Sequence, residues 1–447
     1  MVSPRELALK VLLEWQKGFY SNISLNKHLT NAVSSKDRAL ATELTYGVIQ
    51  NKLKLDYIIS HFSKLKIETL SPSVINILRL GIYQLVFLDK IPDFAAVNES
   101  VNLARKFDNR GSANYVNAVL RNVSRKVDKL DYPERQTDLF RYLSVTYSFP
   151  LWLVKRWVDI FGASFAEQLL KSLNERPKFC VRLNTLKGSC EQLKSRLIAE
   201  NVKFRDGFYL DEAIYLESGL PVTGLESFKS GLIQPQDESS MLAAIALGVK
   251  PNEIVLDAAA APGGKTTHMA QIMENAGSIV SWDIHPHRVK LIQETCRRLG
   301  VTIAKAYVKD ISIPDDMYYD KFDRVLIDAP CSGLGVIRRK PDIKWSKSEA
   351  DLHTLNKKQY ELLSTCSRYV KPNGILVYST CSVDPEENER VALKFLDEHK
   401  NFSFDDITPH LPKKLRSEVK KPTGYIHFYP NVHKIDGFFI TRLKRIY

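Results

Sequence analysis

From Gly231 to the carboxyl terminus, short β-branched runs alternate with helical segments, and that alternation narrows what this chain can fold into more than any other feature. EIVLDAA, SIVSWDI, VTIAKAYV, KFDRVLIDA and GILVYST read as buried strands, and PHRVKLIQETCRRLG and TLNKKQYELLSTCSRYV as helices between them. The pattern predicts a doubly wound, mostly parallel α/β sheet with helices on both faces. Near the end, GYIHFYP and GFFITRL have no helix between them, so they should pair antiparallel at one sheet edge.

At 447 residues the chain exceeds a single core, and two or three domains are expected. Residues 1–130 carry apolar residues at three- and four-residue spacing in ELALKVLLEW, SVINILRLGIYQLVFL and ANYVNAVLRNVSRKV, which predicts an all-α domain. Ser71-Pro72-Ser73 is a helix start. Residues 131–230 open on the polar linker DYPERQ and continue through FPLWLVKRWVDIFG and KFCVRLNT as a small α+β domain. Its Arg176, Lys178 and Arg182 either line a nucleic-acid groove or solvate a strand edge. The α/β domain is 231–447.

Sixty-four Lys and Arg against 51 Asp and Glu leave a net charge of +13, which favours a polyanionic partner. The six cysteines form no CxxC and no dense framework, as suits free thiols in a reducing compartment. Arg5, Glu6 and Lys10 interrupt MVSPRELALKVLLEW where a signal peptide needs an apolar core, and Val74 to Leu88 is too short and too interrupted to span a bilayer. A cytoplasmic protein, free of membrane and metal and acting as a monomer, is expected.

Ligands of a doubly wound sheet sit outside the carboxyl ends of its strands. The first strand runs into DAAAAPGGKTTHMAQ, whose small residues Ala258 to Ala261 and Gly263-Gly264 allow close backbone approach before a helix opens near Lys265. It is neither the GxGxxG of dinucleotide binders nor the GxxxxGKS/T of phosphate loops. Asp283 ends the second strand, where a carboxylate can accept from both ribose hydroxyls, and Asp310 follows the third, placed for an adenine amino group. A phosphate-free adenosine fits this set: S-adenosylmethionine.

The fourth and fifth strands each end near a cysteine, Cys331 in DAPCSG and Cys381 in YSTCS. Two thiols around one pyrimidine suit cytosine C5 methylation, in which a thiolate adds to C6 and a base later removes the C5 proton. Asp328 can bond the cytosine amino group and ring nitrogen. Cys180, Cys190, Cys296 and Cys366 sit in ordinary strand or helix contexts and read as structural.

DAAAAPGGKTTH, DAPCSGLGVIRRKPDIKW and YSTCSVDPEENE resemble the RNA 5-methylcytosine methyltransferases of the NOL1/NOP2/Sun family, and the likeness covers essentially the whole chain. It implies a multidomain fold: an all-α amino-terminal domain like the antitermination factor NusB, a small α+β RNA-binding subdomain, and a Rossmann-like S-adenosylmethionine-dependent methyltransferase domain. By resemblance Cys381 is the covalent nucleophile and Cys331 the thiol that assists elimination. Ala259, Ala260, Ala261, Pro262, Gly263, Gly264, Lys265, Asp283, Asp310 and Asp328 match the cofactor-contacting positions; many members have Cys where this chain has Ala259. Lys265 either enters the pocket or caps the turn, and Asp436 in DGFF also fits. The implied substrate is cytosine in unassembled small-subunit ribosomal RNA. The alternatives are a transfer-RNA cytosine methyltransferase and a noncatalytic RNA-binding or antitermination protein.

Overall fold

Residues 2–29, 34–217, 222–417, 419 and 423–447 are described by a computed structural model. Chain contacts separate two units, Met1–Asn174 with Lys340–Ser346, and Glu175–Arg339 with Lys347–Tyr447. Among the described residues no helix is long and apolar enough to cross a membrane.

The first unit is helical because its apolar stripes are bounded by caps. Ser3 and Ser71 each accept a backbone amide three residues on and are each followed by Pro, which opens the helices Pro4–Gln16 and Pro72–Phe87. The latter is the hub, buried from Val74 to Gln84 among Leu12, Val48, Ile58 and Leu120. The polar residues that interrupt its sequence are buried with partners. Arg79 grips Asp56 at 2.7 and 2.9 Å, Asn76 donates to Gln16 Oε1 at 2.8 Å, and Gln84 to the Leu80 carbonyl at 2.8 Å.

Lys340–Ser346, distant in sequence, belongs to this unit. Lys344, fully buried, donates to the carbonyls of Gln50 (3.0 Å) and Ser148 (3.2 Å) and to Asn174 Oδ1 (2.6 Å). Asp342 accepts from Ser21 N and Oγ, and Trp345 Nε1 donates to the Ile49 carbonyl.

In the second unit β1 (Phe179–Leu183), β2 (Phe204–Asp206), β3 (Ala213–Leu216) and β4 (Ile233–Pro235) form an antiparallel sheet in the order β2-β3-β1-β4. The helix Cys190–Ala199, opened by a Ser189/Gln192 capping box, packs Leu193 and Leu197 on its apolar residues.

The larger sheet contains β5 (Ile254–Asp257), β6 (Ser278–Asp283), β7 (Ala304–Val308), β8 (Phe322–Asp328), β9 (Val370–Thr380), β10 (Phe402–Phe404), β11 (Tyr425–Phe428) and β12 (Phe438–Arg445). Its order is β10-β12-β9-β8-β5-β6-β7, with β5 to β9 parallel. The chain winds outward from β5 to β7 and then returns to β8 on the other flank of β5, so the switch point lies between β5 and β8. The late strands pair antiparallel as expected, β11 on β12. β12 is not itself an edge: it lies between β9 and β10, because Phe438 to Ile440 and Leu443 are buried in core that an edge strand would leave open.

Candidate active site

Strand register brings the two thiols together. β8 and β9 run parallel with Asp328 opposite Ser379, so the loops that follow leave the sheet side by side. The sulfurs of Cys331 and Cys381 lie 3.1 Å apart, both half-buried and free. The hydrogen bond to Cys381 and burial push the Cys331 thiol well above the ordinary range.

A cavity of about 410 Å³ joins these sulfurs to the switch point. Ala258, Ala259, Ala261, Asp283, Asp310 and Asp328 line it along with both cysteines. Asp283 holds its loop by accepting from His285 N at 3.0 Å. Asp310 accepts from Ser312 Oγ and N, bonds that lower its carboxyl below the usual range and keep it an acceptor. Asp328 accepts from Lys265 Nζ on one oxygen and Ser379 Oγ on the other. The sequence left Lys265 between pocket and turn; its side chain is buried and its ammonium sits on Asp328.

Ala260, Pro262, Gly263 and Gly264 do not line the cavity; they shape the loop. Gly263, at φ 98°, turns the chain into the helix Gly264–Ile272. Arg182 fixes that turn from below. It is fully buried, which excludes both surface readings of it, and donates to Gln236 Oε1, to the Gly264 carbonyl at 2.8 Å and to Thr267 Oγ1 at 3.0 Å.

Two glycines let a second loop close on the end of β9. A Cβ on Gly335 would stand 2.1 Å from the Gly437 carbonyl oxygen and 2.8 Å from that of Cys381. The backbone bonds Gly335 N to Cys381 O and Gly437 N to Gly335 O, both 2.9 Å, need that approach. Beside them Asp436 is buried against Arg338 and Arg339, while Phe438 and Phe439 lie in the core.

Ile284, Ile311, Leu362 and Lys358 also line the cavity and were not singled out from sequence. Ile284 had a signal, since it directly follows the strand-ending Asp283. Leu362 and Lys358 come from the helix Glu349–Ser367, and only the fold brings them there.

The cavity suits S-adenosylmethionine by its donor set. Carboxylates at successive strand ends can accept hydroxyl and amino protons, apolar side chains can flank a ring, and no phosphate loop is present. The family model described as 16S rRNA methyltransferase RsmB/F matches residues 244–444, the NusB family model 2–125, and a ferredoxin-like domain of RsmF/B-like methyltransferases 149–223. The chain is 41% identical to a probable ribosomal RNA small subunit methyltransferase B of Bacillus subtilis over 99% of each chain. It is 34% identical to the probable protein of that name from Synechocystis over the full length of both. The solved structure of PH0851 is 26% identical, with a TM-score of 0.79, over 100% of this chain and 99% of that one.

Proposed function

The chain belongs to the 16S rRNA methyltransferase RsmB/F family, and from that premise we propose that it methylates cytosine C5 in small-subunit ribosomal RNA through a covalent adduct between Cys381 and C6. The contact between the Cys331 and Cys381 sulfurs, both lining the cavity, carries this reading. S-adenosylmethionine supplies an electrophilic methyl group, with Asp283 and Asp310 as acceptors for its adenosine. Asp328, steadied by Lys265 and Ser379, accepts from the cytosine amino group and polarises the ring.

The Cys381 thiolate adds to C6, opening the C5–C6 double bond and making C5 nucleophilic. Bonding to carbon removes the charge and the hydrogen bond that hold Cys331 protonated, so Cys331 then releases its proton to solvent. Once C5 carries the methyl group, Cys331 takes the C5 proton, the C6–S bond breaks and Cys381 leaves as thiolate. The pair returns to its starting state, with one proton released per methyl transferred. C5 and C6 are hidden within a duplex, so the target nucleotide is single-stranded or flipped out, and RNA not yet packed into a subunit is the substrate proposed.

The test is methyl transfer to unassembled small-subunit RNA, to assembled subunits and to transfer RNA, with nucleosides identified by mass spectrometry. Cys381→Ala should abolish transfer, and Cys331→Ala should accumulate a denaturant-stable RNA–protein adduct. Transfer by Cys381→Ala, or a methyl group elsewhere than C5, would overturn the proposal.

A further inference from the structure

Glu387 is fully buried, is not among the residues lining the cavity, and makes no hydrogen bond to either sulfur among the described residues. It touches the neighbours of both. Ser332, which follows Cys331, donates its amide to Glu387 Oε1 at 2.7 Å and its hydroxyl to Oε2. Ser382, which follows Cys381, donates its hydroxyl to the same Oε2 at 2.5 Å. Gln359 Nε2 bridges Glu387 Oε1 (3.1 Å) and the carbonyl of Pro330, the residue before Cys331 (3.0 Å). The next residue, Asn388, accepts from Thr380 Oγ1, before Cys381, and donates to the Ser382 carbonyl at 3.1 Å. The Tyr378 hydroxyl fixes the Glu387 backbone carbonyl at 2.6 Å.

Four donors thus fill the four acceptor directions of one carboxylate, and no cation is bonded to it among the described residues. A carboxylate so enclosed has no lone pair left for a substrate proton, which rules out an acid–base task. It ties instead two loops that the sheet alone would let diverge beyond Asp328 and Thr380.

We propose that Glu387 is the positioning residue of the thiol pair: by accepting from Ser332 and Ser382 together it sets the distance and direction between Cys331 and Cys381. This rests on the reading of those cysteines as the reacting pair. An amide in its place keeps the volume, loses two acceptor directions and points donors at donors, so the loops part. Misplacement by about 1 Å lowers turnover about 100-fold while leaving binding groups in place.

The experiment compares the full-length parent protein with Glu387→Gln and, as a milder variant that leaves the carboxylate in place, Ser332→Ala combined with Ser382→Ala. The first readout is kcat against KM for S-adenosylmethionine. The second is independent of methyl transfer: diamide oxidises the two thiols to a Cys331–Cys381 disulfide, itself taking up two electrons and two protons, at a rate set by sulfur geometry. Glu387→Gln should lower kcat about 100-fold with KM within about threefold, and slow disulfide closure about tenfold. The serine pair should follow in the same direction, and adding it to Glu387→Gln should cost little more. Parental closure rates in both variants would overturn the inference even if Cys381→Ala proves inactive. Conversely, slowed closure alongside an active Cys381→Ala would uphold the positioning role and sink the chemical reading. Should Glu387→Gln fail to fold, the serine pair decides by the same two measurements.

Discussion

Lys265 Nζ lies 2.7 Å from Asp328 Oδ2, while Ser379 Oγ donates to the other oxygen of that carboxylate at 2.9 Å. The first contact joins the turn after β5 to the end of β8, so one ion pair spans the switch point. Because the Lys265 side chain is only 10% exposed and that of Asp328 33%, water screens the pair incompletely. Lys265→Met keeps the side-chain volume but removes the ammonium, which lies 5.4 Å from the Phe438 ring centre, and strands Asp328 with a single serine donor. Methyl transfer should fall about 10- to 100-fold, the loss expected for a charge-assisted contact of roughly 1.5–3 kcal/mol. Steady-state kinetics with saturating cofactor check this, and an unchanged kcat would remove Lys265 from the site.

Arg182 makes a separable case, since it bonds the start of the helix after β5 without lining the cavity. Burial lowers its guanidinium to about 9, and its bonds run to Gln236, Gly264 and Thr267. Arg182→Met leaves Gln236 Oε1 without its one donor among the described residues, and a buried acceptor so orphaned costs roughly 1–3 kcal/mol. The expected result is a lower denaturation midpoint and weaker S-adenosylmethionine binding by calorimetry, with partial activity at saturating cofactor. Unaltered cofactor affinity would confine Arg182 to stability.

These two residues mark how far the sequence could be read. Lys265 was legible only as one of two alternatives, pocket or turn, and its burial against Asp328 outside the cavity lining comes from the fold, whereas Asp283, Asp310 and Asp328 were legible as polar ends of apolar runs. The thiols were visible for the same reason, and their meeting followed once β8 and β9 were taken as neighbours. Arg182 was misleading because a cation in a short strand carries no mark of which face it takes; its burial depends on Gln236 and Thr267. Glu387 lay within YSTCSVDPEENE, a stretch that carried the family resemblance but gave this residue no role of its own until Ser332 and Ser382 converge on it. Nor does any periodicity place Lys340–Ser346 with the helical unit.

That segment yields its own prediction. Lys344 has three oxygen acceptors and lies 3.8 Å over the Phe149 ring, and burial lowers its ammonium well below the ordinary range. Lys344→Met preserves the volume and removes the only bonds it makes among the described residues, leaving the Gln50 and Ser148 carbonyls short of a donor. The helical unit should lose about 2–4 kcal/mol. Protease sensitivity within Met1–Asn174 should rise, and equal resistance of the variant and parent protein would show that water replaces the lysine.

Asp257 gives the pH-dependent case. It ends β5 fully buried, accepts from Thr266 Oγ1 at 2.6 Å on Oδ2, and its Oδ1 has no hydrogen-bond partner among the described residues. Burial raises its carboxyl from 3.8 to about 6. The folded state therefore holds a proton that the unfolded chain releases between about pH 4 and pH 6, so this group favours folding below pH 4 and that contribution is lost as pH rises through about 6. Asp257→Asn keeps the Thr266 bond and does not ionise. The stability of Asp257→Asn minus that of the parent should climb by about 2.4 kcal/mol from pH 4 to pH 7, since each pKa unit is worth about 1.4 kcal/mol and part of the shift is already spent at pH 4. Urea midpoints for both proteins across that range measure it: a difference flat with pH would mean that the carboxyl ionises in the folded chain as readily as in the unfolded one.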